Sequence, residues 1–485
     1  KNSSIYGIDG MKVSGWRQTK GKTEDDTDSS IISLGSSSQN KITVENSYAE
    51  MIRGISLDSN SHLQMKEQGD VSVQQNGGDS QTLTGISLMD KSKMNVGSQG
   101  NVSLVQSGGK TEAMVGVFLD NQSFTEMAQN ETISIVQNGG QSNIIYGIYN
   151  SNGSTFTAGD GMRAELSLKG DGINNNGIGL CNRIKSSMTV GNNNRVVVSL
   201  HNTGTNSFGG TIGIQNALSN AQFGNNLSVQ VQAVNYKKAE GIRNSGVDAT
   251  PATMTIGDNL SVDVKASSLT GDGAPTVEGI RNGTNNHPGY TFTDGKNTML
   301  RVGKNAHISV TAPDKVKDVS ALHSFNHANA EIGDGAVFMV NSNAKNSKES
   351  IINNVVKTDD AGHVTFDGGM TLVGSQNAIY STGDGSSVTA MGAGRKVILG
   401  DLESADKGSI KLNLNTADSL LRGKSIIDGF KPDAATTHGL RAAATEVNDA
   451  SGNASGDTMP ADTELTVANG ARWDMTDNSQ VTTLS

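Results

Sequence analysis

Residues 53–57 read RGISL, 84–88 TGISL, 115–119 VGVFL and 146–150 YGIYN. Their glycines, Gly54, Gly85, Gly116 and Gly147, follow one another at intervals of 31 residues. A second phrase keeps the same beat, with NGG at 76–78, SGG at 107–109 and NGG at 138–140. Self-similarity at a period of roughly 20–50 residues is the mark of a solenoid, in which each repeat packs only on its neighbours. The repeat therefore has to be resolved into elements before any domain is counted.

Each repeat contains three short β signals. The first is the glycine phrase itself. The second ends in an apolar residue and a glycine: MNVG at 94–97, TAG at 157–159, MTVG at 188–191, QFG at 222–224, MTIG at 254–257, LRVG at 300–303 and EIG at 331–333. The third alternates strictly, as in Val71-Ser72-Val73, Val102-Ser103-Leu104, Ile133-Ser134-Ile135, Leu166-Ser167-Leu168, Val229-Gln230-Val231, Val262-Asp263-Val264 and Ile308-Ser309-Val310. Period-two alternation sends the aliphatics to one face and Ser, Gln or Asp to the other. No stretch carries helical periodicity. Three half-buried strands per repeat predict an all-β fold, a parallel β-helix whose like positions stack about 4.8 Å apart.

Outward from the core repeat, the glycine slot continues at Gly179, Gly213, Gly241 and Gly279, with spacings of 32, 34, 28 and 38. The interval drifts while the phrase persists, so insertions are expected in loops, at 266–277, 283–298 and 311–318. Upstream, IYGIDG at 5–10 is a first copy with Gly7 in the slot, and the charged run TKGKTEDDTDSS at 19–30 reads as a surface loop. Downstream the phrase decays to SALHS at 320–324, IINN at 351–354 and AIYST at 378–382. About twelve turns follow from this count, which would make a rod of very roughly 60 Å. We expect the β-helix over 1–402 and a cap over 403–485, the latter turn-rich at first (NDASGNASGD, 448–457) and strand-like from 461. A solenoid has to cover its last apolar layer.

Composition supports many short strands and tight turns. Glycine is 59 of 485 residues against only 6 prolines, and aromatics are 4%. The net charge of −10 argues against a nucleic-acid groove, which needs clustered Lys and Arg. No run has the apolar length of a membrane-spanning helix and none resembles a signal peptide. Lys1 is not an initiator Met, so the chain reads as a trimmed mature fragment. The single cysteine, Cys181, excludes an intramolecular disulfide and reads as a packing thiol.

Two rows of residues stand out. Three places after the slot glycine an Asn occurs in five successive turns, Asn150, Asn182, Asn216, Asn244 and Asn282. It shares the parity of Ile148, Leu180, Ile214, Ile242 and Ile280, so it is expected to point inward and form a ladder of stacked amides. The outward position of the same strand reads Ser56, Ser87, Phe118, Tyr149, Cys181, Gln215, Arg243, Arg281 and His323. A flat face of that kind could bind a glycan or a protein through ring stacking and hydrogen bonds. Phe118, Tyr149, Gln215, Arg243, Arg281 and His323 are the candidate binding residues. EGIRN occurs at 240–244 and again at 278–282, so Arg243 and Arg281 are expected to stack with like charge and to draw an acidic neighbour or anionic ligand.

Catalytic signatures are incomplete. NRIK at 182–185 resembles the Arg-Ile-Lys of polygalacturonases but lacks their GHG, and Asp359-Asp360 with His363 is isolated. GKT at 109–111 and GKS at 423–425 lack the leading glycine of a phosphate loop, with Leu104 and Asp418 in its place. GDG, beginning at Gly159, Gly170, Gly271, Gly333 and Gly383, is turn chemistry, and the tandem Ca²⁺ nonapeptide is missing. We expect no catalytic residues, no metal and no cofactor.

The final lines carry a resemblance. ELTVANGARWDMTDNSQVTTLS, 464–485, is similar to the C-terminal end of bacterial autotransporter passenger domains of the pertactin and AIDA adhesin type, with Trp473, Thr476, Ser479, Val481 and Leu484 in the places of that pattern. ADSLLRG at 417–423 resembles the strand phrase preceding it. The resemblance implies a right-handed β-helix passed through the outer membrane by a C-terminal β-barrel that this chain does not include. It also implies a folding-nucleating autochaperone segment around Trp473, capped by Trp473 and Leu484. It implies a cell-surface adhesin for aggregation, biofilm formation or attachment, whose partners are bacterial or host glycans, matrix proteins or its own copy, with no nucleic acid. The rival expectation is a carbohydrate-active β-helix enzyme, a lyase or glycoside hydrolase. A plain spacer stalk is the third.

Overall fold

Strict alternation demands one dry face per strand, and the chain meets that demand by stacking coil on coil. The structure is a computed structural model and describes residues 5–14, 31–45, 48–170, 176–203, 209–247, 250–268, 275–284, 298–313, 316, 318–342, 352–428 and 461–485. Among these residues there are 41 strands and no helix, and the fold is a parallel β-helix with three strands per coil. The expected loops at 19–30 and 448–457, and most of the insertions, lie outside the described residues.

Two compact units divide the chain. The first comprises Lys1–Arg243, Met254–Ile256 and Asp263–Pro275. Its coils run through a glycine strand, a four-residue short strand and an alternating strand, for example Asp79–Leu88, Lys93–Val96 and Asn101–Ser107. The next coil repeats the order as Lys110–Leu119, Phe124–Met127 and Thr132–Asn138. Every strand pairs in parallel with its counterpart one coil away, so Ile86 lies on Val117, Met94 on Thr125 and Leu104 on Ile135. Ile86, Val117, Met94, Leu104 and Ile135 are at most 1% exposed. Burying an aliphatic side chain contributes roughly 1.5–3 kcal/mol, and the repeat collects that gain several times per coil.

The second unit comprises Asn244–Thr253, Gly257–Val262 and Thr276–Ser485. It has the same three series, beginning Thr276–Asn282, Met299–Val302 and His307–Ala312 and continuing Asp318–Phe325, Asn329–Ile332 and Ala336–Ser342. Further on, Met370–Thr382 runs through both the alternating and the glycine place as one 13-residue strand, with its register broken between Val373 and Asn377. Beyond residue 402 the series persist. Ser409–Leu414 pairs with Ser387–Ala390 and with Asp462–Val467, and Leu420–Arg422 pairs with Arg472–Asp474.

The slot glycine sits where the strand bends, and in the first copy it is Gly10, opposite Gly54, and not Gly7, which pairs with Met51. Pairing runs Arg53↔Thr84 and then resumes at Ile55↔Ile86, with the glycines left out of register. The same gap recurs between Val115↔Tyr146 and Val117↔Ile148. A Cβ on Gly116 would stand 2.5 Å from both the Gly147 carbonyl oxygen and Ile133 Cγ2, so only glycine lets the next coil come down onto the bend. The turn that follows the glycine strand is made by two residues of positive φ, such as Asp90 (51°) with Lys91 (64°) and Ile184 (51°) with Lys185 (59°).

Candidate functional site

In a straight strand, residues three apart point to opposite faces. Across the glycine bend they meet. Arg243 Nε donates to Glu240 Oε2 at 2.5 Å, Arg281 Nη1 to Glu278 Oε2 at 2.8 Å, and the rings of Tyr146 and Tyr149 lie 4.8 Å apart at 58°. The residue before the glycine and the residue two after it thus converge on the outside of the coil and line a recessed column. This alters the expected flat face. Ser56 (3%), Ser87 (4%), His323 (4%) and Cys181 (0%) are buried, while Phe118, Tyr149, Gln215, Arg243 and Arg281 are half-buried. Within each unit the candidate residues are in line, as parity implied, but the bend sinks them below the surface.

In the first unit the column is apolar from Val115 to Ile212. Phe118 and Tyr149 are register partners with ring centroids 5.4 Å apart and planes 3° from parallel. Tyr146 and Tyr149 pack against Ile178, Cys181 and Ile212, a cluster outside the coil's own interior. Burial pushes the Cys181 thiol up to about 12, although Arg183 and Arg243 pull the other way, so the sulfur is an inert packing group. Burial likewise raises the Tyr146 hydroxyl to about 12, with Cys181 and Tyr149 adding to the rise and Arg183 opposing it. Aromatic edges with Gln215 and Arg243 on the same line can hold a sugar ring or a partner's apolar side chain.

In the second unit the column is ionic. His323 Nδ1 stands 2.7 Å from Glu278 Oε1 and its Nε2 stands 3.1 Å from Asp359 Oδ2. Lys357 Nζ donates to Asp318 Oδ2 at 2.7 Å and lies 3.4 Å from Asp359 Oδ2. The Arg281 guanidinium carbon lies 4.4 Å from the centroid of the Phe325 ring. Burial disfavours each charge, yet the partners outweigh it. Asp359 and Glu278 raise His323, while Arg281 and His323 hold Glu278 well below the usual carboxylate range. Hydrogen bonds from His323 and the charge of Lys357 likewise lower Asp359 against its burial. With both ring nitrogens taken by carboxylates, His323 has no lone pair free to act as a base. Arg243 and Arg281 each find their acidic neighbour within their own strand.

The asparagine row points inward and is buried throughout. In the first unit Asn150 Nδ2 donates to Asn182 Oδ1 at 2.8 Å and Asn182 Nδ2 to Asn216 Oδ1 at 2.9 Å. In the second, Asn244 Nδ2 donates to Asn282 Oδ1 at 2.9 Å. Each rung also holds turn backbone, as Asn182 does with the Asn220 carbonyl at 2.8 Å. Below Asn150 the same position is Leu119, which leaves Asn150 Oδ1 without a partner. Hydroxyls extend the second-unit ladder, with Asn282 Nδ2 donating to Ser324 Oγ and Thr358 Oγ1 to Ser381 Oγ.

A second ladder went unread in the sequence. Gln75, Gln106 and Gln137 are fully buried beside the glycine-pair corners, where Ser80 Oγ donates to Gln75 Oε1 at 3.0 Å and Ser142 Oγ to Gln137 Oε1 at 2.6 Å. Its signal is a Gln five residues before a Ser or Thr, straddling the paired glycines.

The partial motifs resolve into architecture. Ile184 and Lys185 of NRIK form a coil corner, Gly161 and Gly335 of GDG take positive φ, and His363 bonds Ser387 Oγ apart from Asp359. Among the described residues no group of His, Cys, Asp and Glu could hold a metal ion. At the C-terminus Trp473 pairs with Leu421 and donates Nε1–H to the Gly423 carbonyl at 3.1 Å, whereas Leu484, paired with Leu465, is 36% exposed. Polar side chains also cover the last strands. The amides of Ser425, Ile427 and Thr463 donate to Ser479 Oγ, Gln480 Oε1 and Thr482 Oγ1. No family model, curated protein or solved structure matches the chain.

Proposed function

We propose that the chain is the surface-displayed passenger of a bacterial autotransporter, an adhesin of the pertactin and AIDA type that acts through the lateral surface of its β-helix. In this reading it reaches the cell surface through an outer-membrane β-barrel, and 403–485 serves as its autochaperone and cap. It promotes aggregation, biofilm formation or attachment by holding a bacterial or host glycan, a matrix protein or another copy of itself. The observation that carries the reading is the first-unit column, where Phe118 and Tyr149 stack in register at 5.4 Å beside Tyr146 on the outside of the coil. Aromatic groups in line, with polar neighbours, suit holding a partner, and many copies per cell multiply weak contacts into avidity. The saturated state of His323 supports binding over catalysis in the second unit.

Display of residues 1–485 on otherwise inert cells tests the proposal. Sedimentation of the cells, or their retention on a panel of glycans and matrix proteins, is the expected result. Shortening of a bound polysaccharide would move the assignment to a carbohydrate-active enzyme. Cells that neither clump nor bind anything on the panel would overturn the adhesin reading.

A further inference from the structure

We propose that His323 is a protonation-dependent clamp: as an imidazolium it ties the strands Thr276–Asn282, Asp318–Phe325 and Ile352–Asp359 into one charge-balanced block, and its deprotonation loosens that block. Geometry alone dictates the charged form. Each ring nitrogen faces a carboxylate oxygen, Glu278 Oε1 at 2.7 Å on one side and Asp359 Oδ2 at 3.1 Å on the other. Two acceptors require two donors, and only the protonated ring carries N–H on both nitrogens. A neutral ring would turn a lone pair toward one of the carboxylates.

The surrounding charges make the same demand. From Thr276–Asn282 come Glu278 and Arg281, from Ile352–Asp359 come Lys357 and Asp359, and from the ring's own strand comes Asp318. The three carboxylates are balanced by Arg281, Lys357 and His323 only while His323 carries its proton. Without it the block is left one negative charge in excess at a buried place, where an uncompensated charge is costly. Glu278 is fully buried and His323 is 4% exposed, so solvent does little to screen that excess. Phe325, with its ring 4.7 Å from the His323 ring, closes the remaining side.

The sign follows from linkage. A histidine held protonated by folding contributes its full stability below the unfolded value of about 6.5 and loses it as pH rises through the higher folded value. The carboxylates work in the opposite direction. Glu278 and Asp359, held low, contribute fully above their unfolded values of about 4.3 and 3.9 and lose that contribution as pH falls through their folded values. The clamp is therefore closed below about 6.5 on the acidic side and opens as pH rises through the raised folded value.

Nitrogen-detected histidine NMR on the full chain, ¹⁵N-labelled at its 8 histidines, reads the ring directly. The expected result is one histidine with both nitrogens protonated at neutral pH that titrates later than the others. Its signal should be absent in His323→Gln and should move to lower pH in Asp359→Asn. Hydrogen exchange of the Asp318–Phe325 strand, corrected for the intrinsic rate, should lose protection as that ring titrates. A His323 ring with one bare nitrogen at neutral pH, or one that titrates with the exposed histidines, would overturn the proposal. Should His323→Gln not fold, Asp359→Asn keeps the ring and assigns the signal. An unshifted ring in that variant would count equally against the clamp.

Discussion

At the level of single residues, the buried asparagines are held by hydrogen bonds from rung to rung and to backbone carbonyls. Asn182 receives from Asn150 and donates to Asn216 and to the Asn220 carbonyl, whereas Asn150 already has one orphaned oxygen over Leu119. Leucine at the middle rung strands ladder groups both above and below it, each costing about 1–3 kcal/mol, while leucine at the foot strands ladder groups on one side alone and continues the Leu57–Leu88–Leu119 column. Asn182→Leu should therefore destabilise the chain more than Asn150→Leu, by at least 1 kcal/mol or so in urea unfolding. Equal losses would remove the ladder from the account. Glu131 makes a second residue-scale case. It is 3% exposed, its Oε1 has no partner, and burial pushes its carboxyl to about 7 against a backbone hydrogen bond from Gly100. The neutral form is favoured on folding, so stability is full below the unfolded value of about 4.5 and falls until pH passes the folded value. The loss is on the order of 3 kcal/mol. Comparing pH 5 with pH 8 in parallel urea titrations, Glu131→Gln should show a smaller drop than the unaltered chain. A drop of the same size would place the titration elsewhere.

Among the elements, the glycine strand decides both the core and the outer column. Alternating triplets such as Val102-Ser103-Leu104 and the repeated glycine phrase made the three strand series legible, because burial on one face writes itself directly into period two. The column was not legible in the same way. Simple parity groups Glu240 with Ile242 and Asn244 inside the coil, yet the bend at Gly241 turns it outward onto Arg243. Two EGIRN phrases therefore looked like stacked positive charge, when each already contained its counter-ion. The inward Gln75, Gln106 and Gln137 were hidden for a related reason, since their Ser and Thr partners lie across a glycine corner. The bend itself is testable. Gly116→Ala adds a methyl group against the Gly147 carbonyl and Ile133, and overpacking of that kind costs about 1–3 kcal/mol. Thermal unfolding should shift downward, and a variant as stable as the parent would mean that the coil does not need its glycine there.

At the scale of the whole molecule, two claims meet: the end of a strand stack has to be covered, and, in the function proposed above, its flank holds the partner. Residues 475–485 supply Ser479, Gln480 and Thr482 to the amides of Ser425, Ile427 and Thr463. A chain ending at Asp474 bares those amides, and exposed strand edges invite pairing with other chains. It should melt earlier and form aggregates visible by light scattering; a soluble, equally stable truncation would deny 475–485 its covering role. The flank is the larger claim, that this β-helix acts by holding a partner along its recessed outer column. Its most direct test is retention of cells displaying the folded double variant Phe118→Ala/Tyr149→Ala on whichever surface or partner cell the unaltered chain binds. The account predicts at least a tenfold loss of retention, about 1.4 kcal/mol, with the strand content unchanged by circular dichroism. Full retention by the folded double variant would contradict it.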